Sequence, residues 1–209
     1  MTSRKYLLKK SNIYAIVDID NLKGKNLSNF IYKCLKNKIK IFQLRSKKSS
    51  WEKVLDKSKF LKKVISNKAL LIINDYPEIC ALVGGDGVHL GQKDLPVFLA
   101  KQILNNSILI GKSTHSIRQA ILAKKEKVDY IGFGPIFKTN TKRIKPIGIK
   151  QINKLSKLMN IPFFLIGGIN FSTLKDIKLN KTKRIAVSNA LCKSRNLKLD
   201  IAQLKSNLN

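Results

Sequence analysis

Acidic residues are scarce in this chain. Its 209 residues contain 12 Asp plus Glu against 42 Lys plus Arg, a formal charge of +30. Such an excess can serve a nucleic acid or an anionic membrane surface. The bases are mostly Lys scattered along the whole chain, however, whereas a nucleic-acid surface more often shows clustered Arg with interleaved aromatics. We therefore expect solvated basic faces and no specific nucleic-acid partner, with a functional polyanion surface as the open alternative.

Cysteine and long apolar runs are also scarce. Cys34, Cys80 and Cys192 stand far apart and form no CxxC pair, which is typical of buried free thiols in a reducing compartment. No apolar run approaches the roughly 18 residues of a membrane helix. The opening segment, MTSRKYLLKKSN, lacks the apolar core of a signal peptide. We expect a cytoplasmic protein without a membrane partner, and the sequence leaves a homo-oligomer open.

The chain does contain a repeated unit, in which a short apolar run precedes a segment with helical spacing. Its 44% apolar residues suffice for one domain over residues 1–209. The runs that predict strands are 13–19, 39–44, 69–73, 88–90, 108–110, 130–133, 162–166 and 184–187. The predicted helices are 27–36, 51–65, 77 to about 83, 95–104, 116–125, 149–158, 172–179 and 199–208. Eight such units predict a parallel (β/α)8 TIM barrel in the α/β class, with a doubly wound open sheet as the alternative.

Polar residues collect where the predicted strands end, and in a closed barrel those ends form the catalytic face. In chain order they are Gln43, Arg45, Lys47, Asn74, Asp75, Asp94, Ser113 and Lys142. Cations and carboxylates at one mouth suit a pyrophosphate bound with Mg²⁺, which prefers one or two carboxylates and takes other oxygens from phosphates. Each residue alone fits an ordinary polar loop equally well. The metal hypothesis depends on Asp75 and Asp94, because two of only 12 acids fall there.

The last two predicted strands favour a second anion site. Gly167 and Gly168 follow the seventh strand and allow close backbone approach, although a Gly-Gly pair is also an ordinary turn. Ser188 and Asn189 follow the eighth strand. The loops after strands seven and eight hold a phosphate in many barrels of this kind.

Four other residues receive structural interpretations. His89 lies within an apolar strand, which is typical of a core histidine with satisfied hydrogen bonds, and Trp51 is predicted to be core. His115 either orients a substrate group or caps the following helix. Asp86 and Asp129 precede their strands and are expected at the opposite, stabilising face.

Several motifs resemble the thiamine-phosphate synthase family, also called thiamine-phosphate pyrophosphorylase. They occur in the family's order over nearly the whole chain. They are YAIVD (14–18), FQLRSK (42–47), IND (73–75), GDGVHLGQKDLP (85–96), IGKSTHS (110–116), DYIGFGPIFKTNTK (129–142), PIG (146–148) and IGGIN (166–170).

The resemblance implies a TIM barrel that joins 4-amino-2-methyl-5-pyrimidinylmethyl diphosphate to a thiazole phosphate, releasing pyrophosphate. In this family the pyrophosphate is thought to leave before the thiazole nitrogen attacks, so neutralising the leaving group matters most. By motif, the pyrimidine diphosphate would be held by Gln43, Leu44, Arg45, Ser46, Lys47, Asn74, Ser113 and Lys142. Among these, Arg45, Lys47, Ser113 and Lys142 would be catalytic. Mg²⁺ would be bound by Asp75 and Asp94, and the thiazole phosphate by Thr139, Asn140, Thr141, Gly168, Ser188 and Asn189.

The chain departs from the family pattern at three places. Tyr76 replaces an Arg that usually follows Asn-Asp, Ser188 with Asn189 replaces a β-branched residue followed by Ser, and the loop 143–145 is short. The nearest alternative is the thiazole tautomerase branch, which needs no diphosphate site. Retention of the diphosphate-site residues argues against that branch; they are Arg45, Lys47, Asp75, Asp94 and Lys142. A barrel that binds nucleic acid is the alternative from another class.

Overall fold

The computed structural model describes residues 3–22, 25–139, 145–177 and 182–208. Its strands are parallel and pair in chain order, and the last pairs with the first, so the barrel is closed. They are β1 (Ile13–Asp18), β2 (Ile41–Arg45), β3 (Leu70–Asn74), β4 (Gly87–Leu90), β5 (Leu109–Thr114), β6 (Tyr130–Phe133), β7 (Phe163–Ile166) and β8 (Ile185–Val187). The predicted (β/α)8 barrel is confirmed, and the open sheet is excluded.

Helices follow the strands and surround the barrel. In the described ranges they are α1 (Arg4–Lys10), α2 (Leu27–Lys36), α3 (Trp51–Ile65), α4 (Pro77–Leu82), α5 (Val97–Ile103), α6 (Ile117–Lys125), α7 (Lys150–Leu158), α8 (Phe171–Leu174), α9 (Asn189–Cys192) and α10 (Leu197–Ser206). Side-chain caps explain several starts: Asn26, Ser50 and Ser116 each accept a hydrogen bond from the backbone N–H three residues on.

Most predicted boundaries agree with the structure to within one or two residues, and the bounds of α2 and α3 agree fully. The strand predicted at 108–110 instead continues to Thr114, because Lys112 and Ser113 stay in register with Ile131 and Gly132 of β6. Helices α1 and α9 were not predicted. The helix predicted at 172–179 is shorter than expected: it ends at Leu174, residues 175–177 are not helical, and residues 178–181 lie outside the described part.

The core has two layers that follow the alternation of side chains along each strand. Tyr14, Ile72 and Phe164 fill the barrel interior. Leu44 and Val88 belong to the larger shell between strands and helices. The prediction that Trp51 is core is wrong: its side chain is 36% exposed, and its Nε1 donates to Glu78 Oε1 at 3.1 Å.

Helix α1 covers the end of the barrel where the strands begin. Its Leu8 is buried in the interior cluster, while Arg4 Nε donates to Asp86 Oδ1 at 2.9 Å and Lys5 Nζ lies 3.2 Å from Asp129 Oδ1. Both aspartates also accept backbone N–H groups, from Leu71 and Ile110. Asp86 and Asp129 therefore stabilise this face, as expected, and the opposite rim is left for ligands.

The structure also bears on the membrane and cysteine expectations. No helix in ranges 3–22, 25–139, 145–177 and 182–208 combines the length and apolarity needed to cross a membrane. Cys34, Cys80 and Cys192 are free and buried, as predicted.

Candidate active site

A cavity of about 800 Å³ opens at the rim formed by the ends of the strands. Its size suits a small-molecule substrate. Most of the sequence-predicted residues line it, namely Gln43, Arg45, Lys47, Asn74, Asp75, Asp94, Ser113, Thr139, Gly167, Gly168, Ser188 and Asn189.

Two predicted residues are placed otherwise, and three cannot be placed. Leu44 is fully buried in the shell between strands and helices, so its side chain does not reach the cavity. Ser46 is turned toward Asp20, to which its Oγ donates at 2.7 Å. Asn140, Thr141 and Lys142 lie outside the described residues.

The end of β2 supplies two cations to the cavity. Arg45, the last residue of β2, and Lys47, in the bend that follows, both line the cavity. Arg45 Nη1 pairs with Asp18 Oδ2 at the end of β1, and the Arg45 side chain is only 11% exposed. Lys47 Nζ lies 2.5 Å from Asp75 Oδ2 at the end of β3. The two cations are thus held by acids from the strands on either side of β2.

Asp75 and Asp94 form an acidic pair at the cavity mouth. Burial, and then the hydrogen bond with Asp94, raise the pKa of Asp75 to about 6, although Lys47 works in the opposite direction. Asp94 Oδ2 also accepts Gly91 N–H at 2.6 Å, and Asp75 N–H donates to His89 O at 2.9 Å. Both carboxylates are therefore fixed next to each other, at the expense of mutual repulsion.

This pair fits a divalent cation. Within the described part of the chain, no three His, Cys, Asp or Glu side chains converge as a complete metal cage. Mg²⁺ does not need such a cage, since it binds through one or two carboxylates, waters and substrate phosphates. A divalent cation would also favour the ionised form of Asp75, whose pKa is raised by burial and by Asp94.

A hydrogen-bonded network of side chains from five strands connects the cavity lining to the barrel interior. Gln43 Nε2 donates to Tyr14 OH at 2.9 Å, and Tyr14 OH lies 2.9 Å from Tyr130 OH. His89 joins this network, with Nδ1 3.2 Å from Tyr130 OH and Nε2 2.9 Å from Ser113 Oγ. Burial raises the pKa of both tyrosines, which keeps them neutral. The network orients Gln43 and Ser113 toward the cavity.

The sequence predicted the burial of His89 but not its place in the cavity lining. It is buried and hydrogen-bonded, as a core histidine should be, yet it also lines the cavity. The signal was available in the two-residue period of β4: Val88 and Leu90 pack in the outer shell, so His89 must point inward.

The opposite side of the cavity is built around Gly167 and Gly168, whose φ values are +93° and +67°. The chain after β6 packs directly on them: Phe137 N–H donates to Gly167 O at 3.1 Å, and a Cβ on Gly168 would lie 2.7 Å from Phe137 Cβ. Glycine is therefore required here both for backbone conformation and for space. Asn189 Oδ1, close by on the cavity wall, is buried and receives no hydrogen bond from the described residues.

His115 also lines the cavity, but it does not cap the following helix. Ser116 is the cap of α6, since its Oγ accepts the Gln119 N–H. The Nδ1 of His115 instead lies 2.5 Å from Gly134 O, so this ring tethers the start of the loop after β6.

Comparisons with known proteins show which family this chain is similar to. The family described as thiamine monophosphate synthase matches residues 13–191. A thiamine-phosphate synthase from Persephonella marina is 35% identical over 197 residues, covering 93% of this chain and 94% of that protein. One from Fusobacterium nucleatum is 33% identical over 204 residues, covering 97% and 99%.

Solved structures show the same likeness. Thiamine phosphate pyrophosphorylase from Pyrococcus furiosus superposes with a TM-score of 0.85 at 27% identity, covering 97% of each chain. A 3-hexulose-6-phosphate synthase from Salmonella typhimurium, at 14% identity and a TM-score of 0.69, shares the fold alone. With 179 of its 209 residues matched by the family and with relatives above 30% identity along nearly its whole length, this chain belongs to the thiamine monophosphate synthase family.

Proposed function

We propose that this chain joins 4-amino-2-methyl-5-pyrimidinylmethyl diphosphate to a thiazole phosphate, producing thiamine phosphate and pyrophosphate. The observation that carries the proposal is the meeting of Arg45, Lys47, Asp75 and Asp94 at one mouth of the cavity. Such a set is suited to a diphosphate that leaves with two positive partners.

In this proposal the two sides of the cavity hold the two substrates. Gln43, Asn74 and Ser113 bind the pyrimidine diphosphate together with the two cations. Thr139, Gly167, Gly168, Ser188 and Asn189 bind the thiazole phosphate, and the buried Asn189 Oδ1 supports a polar ligand on that side. Asn140, Thr141 and Lys142 belong to the proposal by motif only.

The chemistry requires little covalent participation by the protein. Arg45 and Lys47 neutralise the charge that develops on the departing diphosphate, and Ser113 donates toward it. The pyrimidinylmethyl carbon then meets the thiazole nitrogen across the cavity. The apolar wall formed by Ile16, Ile166 and Ile169 excludes water that would otherwise capture the reactive carbon.

Asp75 and Asp94 would hold Mg²⁺. When bound, this ion supplies charge stabilisation to the diphosphate oxygens. The raised pKa of Asp75 and its hydrogen bond with Asp94 support this assignment.

The remaining expectations complete the proposal. Residues 1–209 act as one domain, and the partners are phosphorylated small molecules. The three buried free thiols favour a reducing cytoplasm. A specific nucleic-acid partner is not expected, so any binding driven by the +30 charge should fall steeply between 50 and 200 mM salt.

One coupled assay tests the function. Purified protein with Mg²⁺ and the pyrimidine diphosphate is supplied with or without the thiazole phosphate, and both pyrophosphate and thiamine phosphate are measured. We expect stoichiometric formation of both products, abolished by EDTA. The tautomerase alternative predicts instead that a thiazole carboxylate phosphate is isomerised without the pyrimidine and without pyrophosphate release.

A further inference from the structure

We infer that Asp18 and Asp20, two acids at the end of β1 that do not line the cavity, are positioning residues for Arg45 and Lys47. This inference rests on the proposed function, in which those two cations bind the diphosphate. Asp18 acts on the guanidinium of Arg45, and Asp20 acts on the backbone that carries Lys47.

Asp18 controls Arg45 through a buried ion pair. The two residues are in register between β1 and β2, and Asp18 Oδ2 accepts a hydrogen bond from Arg45 Nη1. The Asp18 side chain is 1% exposed, and its Oδ1 receives no hydrogen bond from the described residues. Arg45 is therefore its principal compensation, and a guanidinium that swung away would leave a buried charge uncompensated.

The ion pair does not consume the capacity of Arg45 to bind a ligand. A guanidinium has five N–H donors in a rigid plane, and Asp18 takes one nitrogen. Arg45 remains part of the cavity lining. Asp18 thus fixes the plane of the Arg45 guanidinium, and the remaining N–H donors of Arg45 can bind a ligand in the cavity.

Asp20 acts one step further along the chain. Its Oδ1 accepts from Ser46 Oγ at 2.7 Å and its Oδ2 accepts the Lys47 N–H at 2.7 Å. Ser46 Oγ in turn accepts the Ser49 N–H at 2.9 Å. These bonds wind residues 46–49 into one turn around Asp20, which sets the direction in which the Lys47 side chain leaves the backbone.

The placement of Lys47 at the metal pair depends on this turn. Lys47 Nζ reaches Asp75 Oδ2 at 2.5 Å although its side chain is half exposed. A long exposed side chain has many rotamers, so a fixed starting point is needed to bring the ammonium to one place. Two of the chain's 12 acidic residues therefore serve to position these two cations.

The experiment compares Asp18→Asn and Asp20→Ala with Asp86→Asn, an acid that pairs with Arg4 and Lys62 at the opposite face. The readouts are the affinity for inorganic pyrophosphate with Mg²⁺ by calorimetry, the KM for each substrate, and the Tm. We expect the first two variants to weaken pyrophosphate binding and raise the KM for the pyrimidine diphosphate by about tenfold or more, as for other supporting residues. The KM for the thiazole phosphate should change little. Asp86→Asn should lower only the Tm.

Two further variants separate positioning from folding. Asp20→Asn keeps an oxygen that accepts one of the two hydrogen bonds, so it should recover part of the affinity lost in Asp20→Ala. Adding Asp18→Asn to Arg45→Gln should produce no further loss of pyrophosphate affinity, because Asp18 acts through Arg45.

The outcomes distinguish the two proposals. If the unaltered protein neither binds pyrophosphate nor forms thiamine phosphate, the proposed function fails and this inference with it. If it does both, and Asp18→Asn and Asp20→Ala lower only the Tm as Asp86→Asn does, the positioning role alone is overturned. Losses that multiply in the Arg45 double variant would equally overturn the role of Asp18.

Discussion

Lys47 Nζ lies 2.5 Å from Asp75 Oδ2, and this contact joins the cation at the end of β2 to the acidic pair at the ends of β3 and β4. The Lys47 side chain is half exposed, whereas that of Asp75 is 15% exposed. The ammonium therefore partly neutralises the carboxylates that are proposed to bind Mg²⁺. Lysine and metal should compete for Asp75 until a diphosphate provides the lysine with another partner.

Replacing Lys47 should expose this competition. We expect Lys47→Met to bind Mn²⁺, a paramagnetic substitute for Mg²⁺, more tightly without substrates, by at most about fivefold, since a partly exposed charge pair contributes at most about 1 kcal/mol. The same variant should bind pyrophosphate more weakly. Electron paramagnetic resonance titration of free Mn²⁺ measures the first effect. Lys112→Met, which removes an ion pair with Glu126 outside the cavity, is the matched control and should leave Mn²⁺ affinity unchanged. Unaltered or weaker Mn²⁺ binding by Lys47→Met would contradict the competition.

Asp75→Asn should remove most of the metal-dependent activity. Asp75 has φ +69°, a conformation that Asn tolerates better than Ala, so the substitution tests the charge with little backbone strain. We expect thiamine phosphate formation to fall by about 100-fold or more and Mn²⁺ binding to weaken in parallel. Asp129→Asn, at the opposite face, should keep both properties. Full activity of Asp75→Asn in the presence of Mg²⁺ would refute the metal assignment.

Gly167→Ala should destabilise the protein more than its backbone conformation alone requires. An added Cβ would lie 2.5 Å from Pro135 Cα, and the residue has φ +93°. Gly84 has φ +61° with nothing within 4 Å of its would-be Cβ, so Gly84→Ala measures conformational strain alone. We expect a drop in Tm of about 3 °C for Gly84→Ala and about 10 °C for Gly167→Ala, measured by circular dichroism. Equal drops in Tm would show that the loop after β6 moves away from the added Cβ without lowering the stability of the fold.

The three thiols should be inert in the folded protein. Burial raises the pKa of Cys34 to about 12, of Cys80 to about 12 and of Cys192 to about 11. At pH 8 only about one thiol in a thousand or fewer is ionised, and the thiolate is the reactive form. A disulfide reagent should therefore react with three thiols in guanidinium and with almost none in native buffer. Rapid reaction of a native thiol at pH 8 would show that its helix opens locally.

Asp20 should contribute to stability at neutral pH and lose that contribution in acid. Burial raises the pKa of Asp20, but the hydrogen bonds from Lys47 N–H and Ser46 Oγ outweigh it and leave the pKa below its usual value. A carboxyl with a lowered folded-state pKa stabilises above its unfolded pKa, and the gain disappears as the pH falls through the folded value. The Tm difference between the unaltered protein and Asp20→Asn should thus shrink as the pH is lowered below about 4. A difference that is constant from pH 7 to pH 3 would exclude a charge contribution.

The order of elements was predictable because each depends on neighbours along the chain. Apolar runs with β-branched residues predicted the strands, and apolar residues at helical spacing predicted α2 and α3. Prediction failed where an element depends on contacts with residues far away along the chain. Thr114 is in a strand because β6 pairs beside it, and α1 forms against the barrel interior through Leu8. Trp51 lies at the start of a helix whose apolar face does not include it.

The amino-acid sequence determined which polar residues follow the strands, and hence that amides, cations and two scarce acids share one rim, because parallel strands all end on the same side. Only the closed barrel decided which of them touch. Asp18 meets Arg45, Lys47 meets Asp75, and Asp75 meets Asp94. These partners are far apart along the chain, and their distances depend on strand register and barrel closure, which no local pattern of residues records.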